Sequence, residues 1–359
     1  MTTKYKEAGV DIDLGDKCSA LAYNAAKTTF SSRKNLIGEP IKMDGGFTGL
    51  LDFGDFYLVQ NNDGVGTKVQ IGEYINKFDT LGYDLLAMVT DDAICIGAEV
   101  ISISNTIDIN KVNPNIIEPL MNGLAKACIE QKVVIPGGEI AELGGVVTGL
   151  IWNATAIGIV EKNKIINGSE IKEGDSIIGL KSAGFRSNGF SLVRYILREH
   201  FGEDWYNQKF DDMHTWGEIT LTPSIIYHNA LLNLIGRYKE ERKYNFKGIA
   251  HITGGGIPGN LIRILKNKKL GAILDNLPQP HASMLTLQDM ATIRDDEAYR
   301  AWNMGMGMAI VVDKKENEKI LAALKKENLN CQIIGEVTNS GKIEILSQGY
   351  FEKGQSIIF

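Results

Sequence analysis

Residues 58–68, Leu-Val-Gln-Asn-Asn-Asp-Gly-Val-Gly-Thr-Lys, constrain this chain more than any other stretch. The segment begins as a short apolar run, which reads as a strand, and then breaks into two glycines and charge. Gly64 and Gly66 let the backbone turn sharply and approach a ligand closely. Successive N–H groups in such a turn form a concavity for an anion. Lys68 adds a positive charge and Thr67 a hydroxyl. Asp63 is the odd member, because a carboxylate repels phosphate. Its presence makes sense if a divalent cation sits between it and a nucleotide's phosphates. The spacing is not that of a Walker A loop, which needs four residues between its first Gly and Gly-Lys. Taken alone, the segment also reads as a plain tight turn.

Other carboxylates stand in similar places. A helix is expected over 80–96, with Asp79 as its cap. Leu81, Leu85, Met88, Asp92 and Cys95 share one of its faces. A carboxylate on an apolar stripe costs several kcal/mol, roughly, unless it is paired or binds a metal. Asp92 is therefore either a structural ion pair or a ligand. The strand expected at 133–135 ends in Pro136-Gly137-Gly138-Glu139, which puts a third carboxylate just past a strand. Hard oxygen ligands of this kind suit Mg²⁺, so Asp63, Asp92 and Glu139 are the candidate metal ligands. Strands at 100–104 and 151–160 and a helix through Ile117 to Cys128, starting near Glu118, complete a first domain. Its order is read as β-α-β-β-α-β, which suggests a ferredoxin-like half.

Asn167-Gly168-Ser169-Glu170 reads as the linker, dividing the chain into 1–168 and 169–359. The fold class expected is α/β (α+β), the second domain having helices packed on a mixed sheet. In that domain the loop 182–189 joins a strand to a helix. Thr222-Pro223 reads as a helix start, with Pro in the first turn. A strand at 248–252 runs into Thr253-Gly254-Gly255-Gly256, with a helix after Pro258. A glycine-rich loop between strand and helix either holds a phosphate on its N–H groups or is a tight connection. The methionines of 303–308 read as packing.

The length of 359 residues allows two domains with a sizeable core in each. A net charge of −6 argues against general nucleic-acid binding. The uncharged run 143–160 contains four glycines and many β-branched residues, so it suits a loop plus a buried strand, and no membrane span is expected. Cys18, Cys95, Cys128 and Cys331 are far apart and read as buried thiols of a reducing cytoplasm.

The order and spacing of several motifs identify a resemblance. These are Tyr5-Lys6-Glu7-Ala8-Gly9-Val10-Asp11-Ile12-Asp13, Gly45-Gly46-Phe47, the Asp63-Gly64-Val65-Gly66-Thr67-Lys68 turn, and Asp79-Thr80-Leu81-Gly82-Tyr83-Asp84-Leu85. Gly97-Ala98-Glu99, Gly137-Gly138-Glu139, residues 187–194, His251-Ile252-Thr253-Gly254-Gly255-Gly256 and residues 303–308 follow. Over nearly the whole chain the pattern resembles the phosphoribosylformylglycinamidine cyclo-ligase family of purine biosynthesis. The resemblance implies a cytoplasmic, ATP-dependent ligase forming a C–N bond. Phosphoribosylformylglycinamidine and ATP would give aminoimidazole ribonucleotide, ADP and phosphate. It also implies a homodimer, with the N-terminal sheets packed together and the nucleotide near that interface.

On this reading Asp63, Gly64, Val65, Gly66, Thr67, Lys68, Gly137, Gly138, Asn188, Thr253, Gly254 and Gly255 would bind ATP. Asp63, Asp92 and Glu139 would hold its Mg²⁺. Phosphoryl transfer to an amide oxygen depends on positioning and charge stabilisation. Lys68 would neutralise phosphate charge. His251 is a proton shuttle or a structural histidine at a strand end. The chain departs from the family pattern at several positions: Asn62, Asp91 in place of Asn, Val100, Ile140, the residues after Glu142, and Arg186 in place of His. Arg186 carries a permanent charge and a fork suited to phosphate. It would bind the ribose phosphate or the transferred group, unless it is solvated or paired with a carboxylate such as Glu199. Another ATP-using enzyme of the same superfamily and a non-catalytic nucleotide-binding dimer are the competing functions.

Overall fold

Apolar alternation builds the first sheet. In β6 (Leu150–Glu161) the even-numbered residues from Leu150 to Val160 are buried and the odd-numbered ones are not, which is the period of a strand packed on one face. The computed structural model describes residues 4–9, 12–41 and 47–359. Val10, Asp11, Gly45 and Gly46 of the motifs above lie outside the described residues.

Two short helices, α1 (Lys4–Glu7) and α2 (Ile12–Lys27), come first. The strands β1 (Glu39–Ile41), β2 (Gly49–Asp52) and β3 (Phe56–Gly64) form an antiparallel run. After β3 come α3 (Val69–Ile75), α4 (Leu81–Ile94), β4 (Glu99–Ile109), α5 (Pro114–Gln131), β5 (Val134–Glu142) and β6. The sheet order is β1-β2-β3-β6-β4-β5, with β4 and β5 parallel. From β3 onward the chain therefore runs strand, helix, helix, strand, helix, strand, strand. The α/β character expected for this half is present, and the strands and helices expected one by one occur in that chain order with α3 added; the β-α-β-β-α-β reading of them is corrected, because α5 lies between β4 and its parallel neighbour β5, and β5 leads straight to β6. The start of α5 also differs. Asn113 caps it, its side chain accepting from the Asn115 N–H, and Pro114 occupies the first turn, so Pro119 lies inside the helix.

The second half holds β7 (Ser176–Lys181), α6 (Phe190–Phe201), α7 (Trp216–Thr220), α8 (His228–Ile235), β8 (Gly248–His251), α9 (Gly256–Leu265) and β9 (Gly271–Leu274). Then follow α10 (Ala282–Ala291), α11 (Asp295–Ala301), β10 (Met306–Val312), α12 (Asn317–Lys326), β11 (Cys331–Thr338), β12 (Ile343–Leu346) and β13 (Ser356–Ile358). Its sheet order is β13-β12-β9-β11-β7-β10-β8, mixed because β12 and β9 are parallel. Met304, Met306 and Met308 are buried, as packing residues. Of the cysteines, Cys95, Cys128 and Cys331 are buried free thiols; Cys18 is exposed, contrary to expectation.

The helix α4 joins the two halves. It packs on β3, β4, β6 and α5 on one side and on α8 and β8 on the other. Nearly every residue in it is buried, including Asp84 and Asp91. The helix expected from Thr222-Pro223 does not form there. Its backbone groups serve the α4 carboxylates instead: Thr222 O accepts from Lys68, Ser224 N–H donates to Asp84, and the N–H groups of Tyr227 and His228 donate to Asp91. Only after those bonds does α8 begin.

Candidate functional site at the domain junction

The β3 turn leaves the sheet beside α4. Gly64 is dictated by packing: a Cβ there would meet the Asn153 amide oxygen of β6 at 2.1 Å. Gly66 adopts φ +65°, and its Cα faces the second domain, where an added Cβ would lie 3.7 Å from Ser187 O. Gly66 and Thr67 are exposed. An added Cβ at Gly254 would lie 3.9 Å from the Asn188 amide oxygen. Three loops thus meet: the Asp63–Lys68 turn, the loop before α6, and the glycine loop before α9. Asn260 of α9 braces the last of these, its amide donating to the carbonyls of Thr253, Gly254 and Gly256. Ser187 Oγ is buried at this junction without a hydrogen-bond partner.

Asp63 and Asp92 face the junction together. Asn61, two residues before Asp63 and so on the same face of β3, donates to Asp92 Oδ2 at 3.3 Å and to Val89 O. Asp63 Oδ1 accepts from the Gly64 N–H at 2.7 Å. Burial, and then the charge of Asp92, push the Asp63 carboxyl up to about 6. Burial pushes Asp92 up to about 7 against the pull of Arg263, Asn61 and Arg186. Two partly buried carboxylates, the charge of Asp92 acting on Asp63, form a hard, electron-rich pair, and they fit a divalent cation bound through oxygen.

Glu139 does not join them within one chain. It lies on the exposed edge strand β5, paired with Thr106 of β4. Two strands, β6 and β4, separate β5 from β3, a distance of about 14 Å at the usual strand spacing. Gly137 and Gly138 sit on the same edge. Among the described residues no three His, Cys, Asp or Glu side chains form a group that could hold a metal.

Three expected ligands are turned away from the junction's opening. Lys68 is fully buried; its Nζ donates to Asp84 Oδ1 at 2.8 Å and to Thr222 O at 2.6 Å. It therefore serves the join between domains and not a phosphate. The Asp84 carboxylate explains this, since it takes the ammonium along with the Ser224 N–H and hydroxyl. Arg186 is also buried, bonded to Asp91 Oδ2 at 2.7 Å and to Ile225 O at 2.9 Å. It is neither solvated nor paired with Glu199, and its fork is used up inside the protein. His251 is fully buried, with Nδ1 2.8 Å from Asp92 Oδ1 and Nε2 2.9 Å from the Arg186 guanidinium. Burial and the Arg186 charge hold it down at about 3, so it is neutral at pH 7 and unsuited to shuttle protons with substrate.

Asp84 and Asp91 were not among the expected site residues. They lie seven residues apart, two turns of α4, and so point the same way toward the second domain. That spacing of two acids in an otherwise apolar helix was the available signal. Arg263 of α9, whose charge acts on Asp92, is a further member, and its guanidinium lies 3.8 Å over the Phe47 ring.

Comparisons with known proteins match the chain over nearly its whole length. The AIR synthase related protein N-terminal domain family matches residues 45–160 and the corresponding C-terminal domain family matches residues 172–347. The phosphoribosylformylglycinamidine cyclo-ligase of Methanocaldococcus jannaschii is 37% identical over 338 residues, covering 94% of this chain and 92% of that protein. That of Thermococcus kodakarensis is 34% identical over 345 residues, covering 96% and 98%. Among solved structures, a ThiL protein complexed with AMPPCP and TMP superimposes with a TM-score of 0.59 at 14% identity, covering 88% of this chain and 92% of that one. The hydrogenase maturation protein HypE in complex with ATP gives 0.58 at 15% identity, covering 84% of each. At those identities the likeness is one of fold. With both domain families matched in order and relatives aligned over nine-tenths of its length, the chain belongs to the phosphoribosylformylglycinamidine cyclo-ligase family.

Proposed function

We propose that the chain closes the imidazole ring of aminoimidazole ribonucleotide from phosphoribosylformylglycinamidine, consuming ATP and releasing ADP and phosphate. The observation that carries this reading is the Asp63–Asp92 pair at the junction of three glycine-bearing loops, in a chain aligned end to end with cyclo-ligases. Asp63 and Asp92 would hold Mg²⁺, which supplies charge neutralisation to the nucleotide's phosphates when bound. Gly64, Gly66 and Thr67 would line the nucleotide from the first domain. Asn188, Thr253, Gly254 and Gly255 would do so from the second. Val65, expected beside the glycines of the first-domain turn, is buried in the core with its N–H bonded to Trp152 O and supports the turn from beneath. Ser187, with its unpartnered buried hydroxyl, is placed to meet a polar group of the acceptor.

The dimer belongs to the same proposal. The uncovered face of the first sheet carries exposed Ile101 and Ile151, and its edge carries Val134 and Ile140. A second copy packed there would cover them, and it is the route by which Gly137, Gly138 and Glu139 could reach a nucleotide. We place the domain boundary at 168/169, between β6 and β7. No described helix is long and apolar enough to cross a membrane.

The test is to incubate the purified protein with ATP, Mg²⁺ and each candidate acceptor, and to follow ADP. ADP that forms with phosphoribosylformylglycinamidine, and not with thiamine monophosphate, supports the proposal. ADP formation with another acceptor alone contradicts it.

A further inference from the structure

Arg186 and Asp91 do more than pair. Arg186 Nη2 touches both Asp91 Oδ2 at 2.7 Å and His251 Nε2 at 2.9 Å. A guanidinium only donates, so His251 Nε2 must accept. The ring's single proton then sits on Nδ1, which donates to Asp92 Oδ1 at 2.8 Å. Asp91 in turn is fixed from its other oxygen by the Tyr227 and His228 N–H groups at 2.9 and 3.1 Å. The chain of contacts Asp91–Arg186–His251–Asp92 leaves α4, crosses to the second domain, and returns to the next residue of α4. Every member except Asp92 is shut off from water.

We infer that Asp91 and Arg186 act as one positioning unit, which sets the direction of the His251 hydrogen bond and thereby aims the Asp92 carboxylate into the site. Asp91 and Arg186 are 95 residues apart in the chain, and the fold puts them in direct contact. Arg186 supports the arrangement at some cost, since it holds the left-handed region at φ +59°, which side chains rarely adopt. Its Nη1 bond to Ile225 O and its place over the Tyr227 ring, 5.1 Å from the centroid, fix the fork in one plane. The inference rests on the reading that Asp92 holds the metal of a bound nucleotide.

Two readouts test it, neither of them turnover. The first is calorimetric binding of ATP with Mg²⁺ to wild type, Arg186→His, Asp91→Asn and the double variant. Each single variant should weaken binding by about tenfold or more, the equivalent of one lost charge-assisted hydrogen bond. The double variant should recover most of the loss, because neither change leaves a buried charge alone. The second readout is the ¹⁵N spectrum of the His251 ring. Wild type should show the proton on Nδ1, and the Arg186 single variant should show a mixture or the other tautomer. Where a single variant does not fold, Arg186→Lys takes its place, because a point charge cannot hold Asp91 and His251 together, and it should also weaken binding by about tenfold. Wild-type binding in these variants, with the His251 proton still on Nδ1, overturns the inference. Failure of wild type itself to bind ATP with Mg²⁺ instead overturns the reading of Asp92 on which the inference stands.

Discussion

Asp63 and Asp92 cost the ligand-free protein stability, as two carboxylates kept for a bound cation would. Both carboxyls are raised above their ordinary range, to about 6 and about 7, so the folded chain holds their protons more tightly than the unfolded chain does. Their contribution to stability is complete below about pH 4 and is lost as pH rises to about 7. Asp63→Asn removes that cost and should raise the melting temperature of the apo protein at pH 8, by an amount corresponding to about 3 kcal/mol. The same variant should lose most ADP formation, and melting curves at pH 5 and pH 8 separate the two effects. Lys68 behaves in the opposite way. Asp84→Asn or Lys68→Met alone leaves a charge buried without its partner and should cost about 3–5 kcal/mol in denaturant unfolding, whereas Lys68→Met with Asp84→Leu should cost far less. Asp92 stood out in the sequence because it breaks an apolar stripe, and Asp63 because a carboxylate is out of place in a turn that otherwise suits an anion. Lys68 and Arg186 were misread for a definite reason. A cation in a glycine-rich loop resembles a phosphate ligand until the acid facing it is known, and Asp84 and Asp91 face them only once the chain has folded.

At the scale of elements, α4 is the part on which the molecule turns. Its apolar stripe predicted a helix, and the structure has one over Leu81–Ile94. Periodicity could not say that both sides would be covered, because the second covering layer is more than a hundred residues away in the chain. The segment after α7 was misread for the same reason. Thr222-Pro223 carries the local signals of a helix start, but Asp84 takes the Ser224 N–H, and Asp91 takes the Tyr227 and His228 N–H groups that such a helix would need for its own ladder. His228, the first residue of α8, accepts the Val100 N–H on Nε2 and is held by burial down at about 3. The unfolded chain binds this proton more readily, so stability should fall as pH drops from about 6.5 toward 3. His228→Gln keeps an acceptor without the titration, and it should flatten the acid limb of a stability–pH curve measured by urea unfolding.

At the scale of the whole molecule, two mixed sheets face a shared helix, and the site lies where their loops meet. The first sheet leaves Ile101 and Ile151 uncovered, so the protein should run as a dimer in size-exclusion chromatography with light scattering, and Ile151→Lys should shift it toward monomer. Glu139 stands at that sheet's far edge, so Glu139→Gln should reduce activity only if the dimer brings it to the nucleotide, and should leave a monomeric variant's nucleotide binding unchanged. The central claim is that this junction couples ATP to ring closure. Its most direct test is ADP release measured with and without phosphoribosylformylglycinamidine, for wild type and Asp92→Asn at saturating Mg²⁺. The account predicts ADP and aminoimidazole ribonucleotide in equal amounts from wild type, almost none without the acceptor, and a large loss in Asp92→Asn. Equal ADP release with and without the acceptor, or full activity in Asp92→Asn, would contradict it.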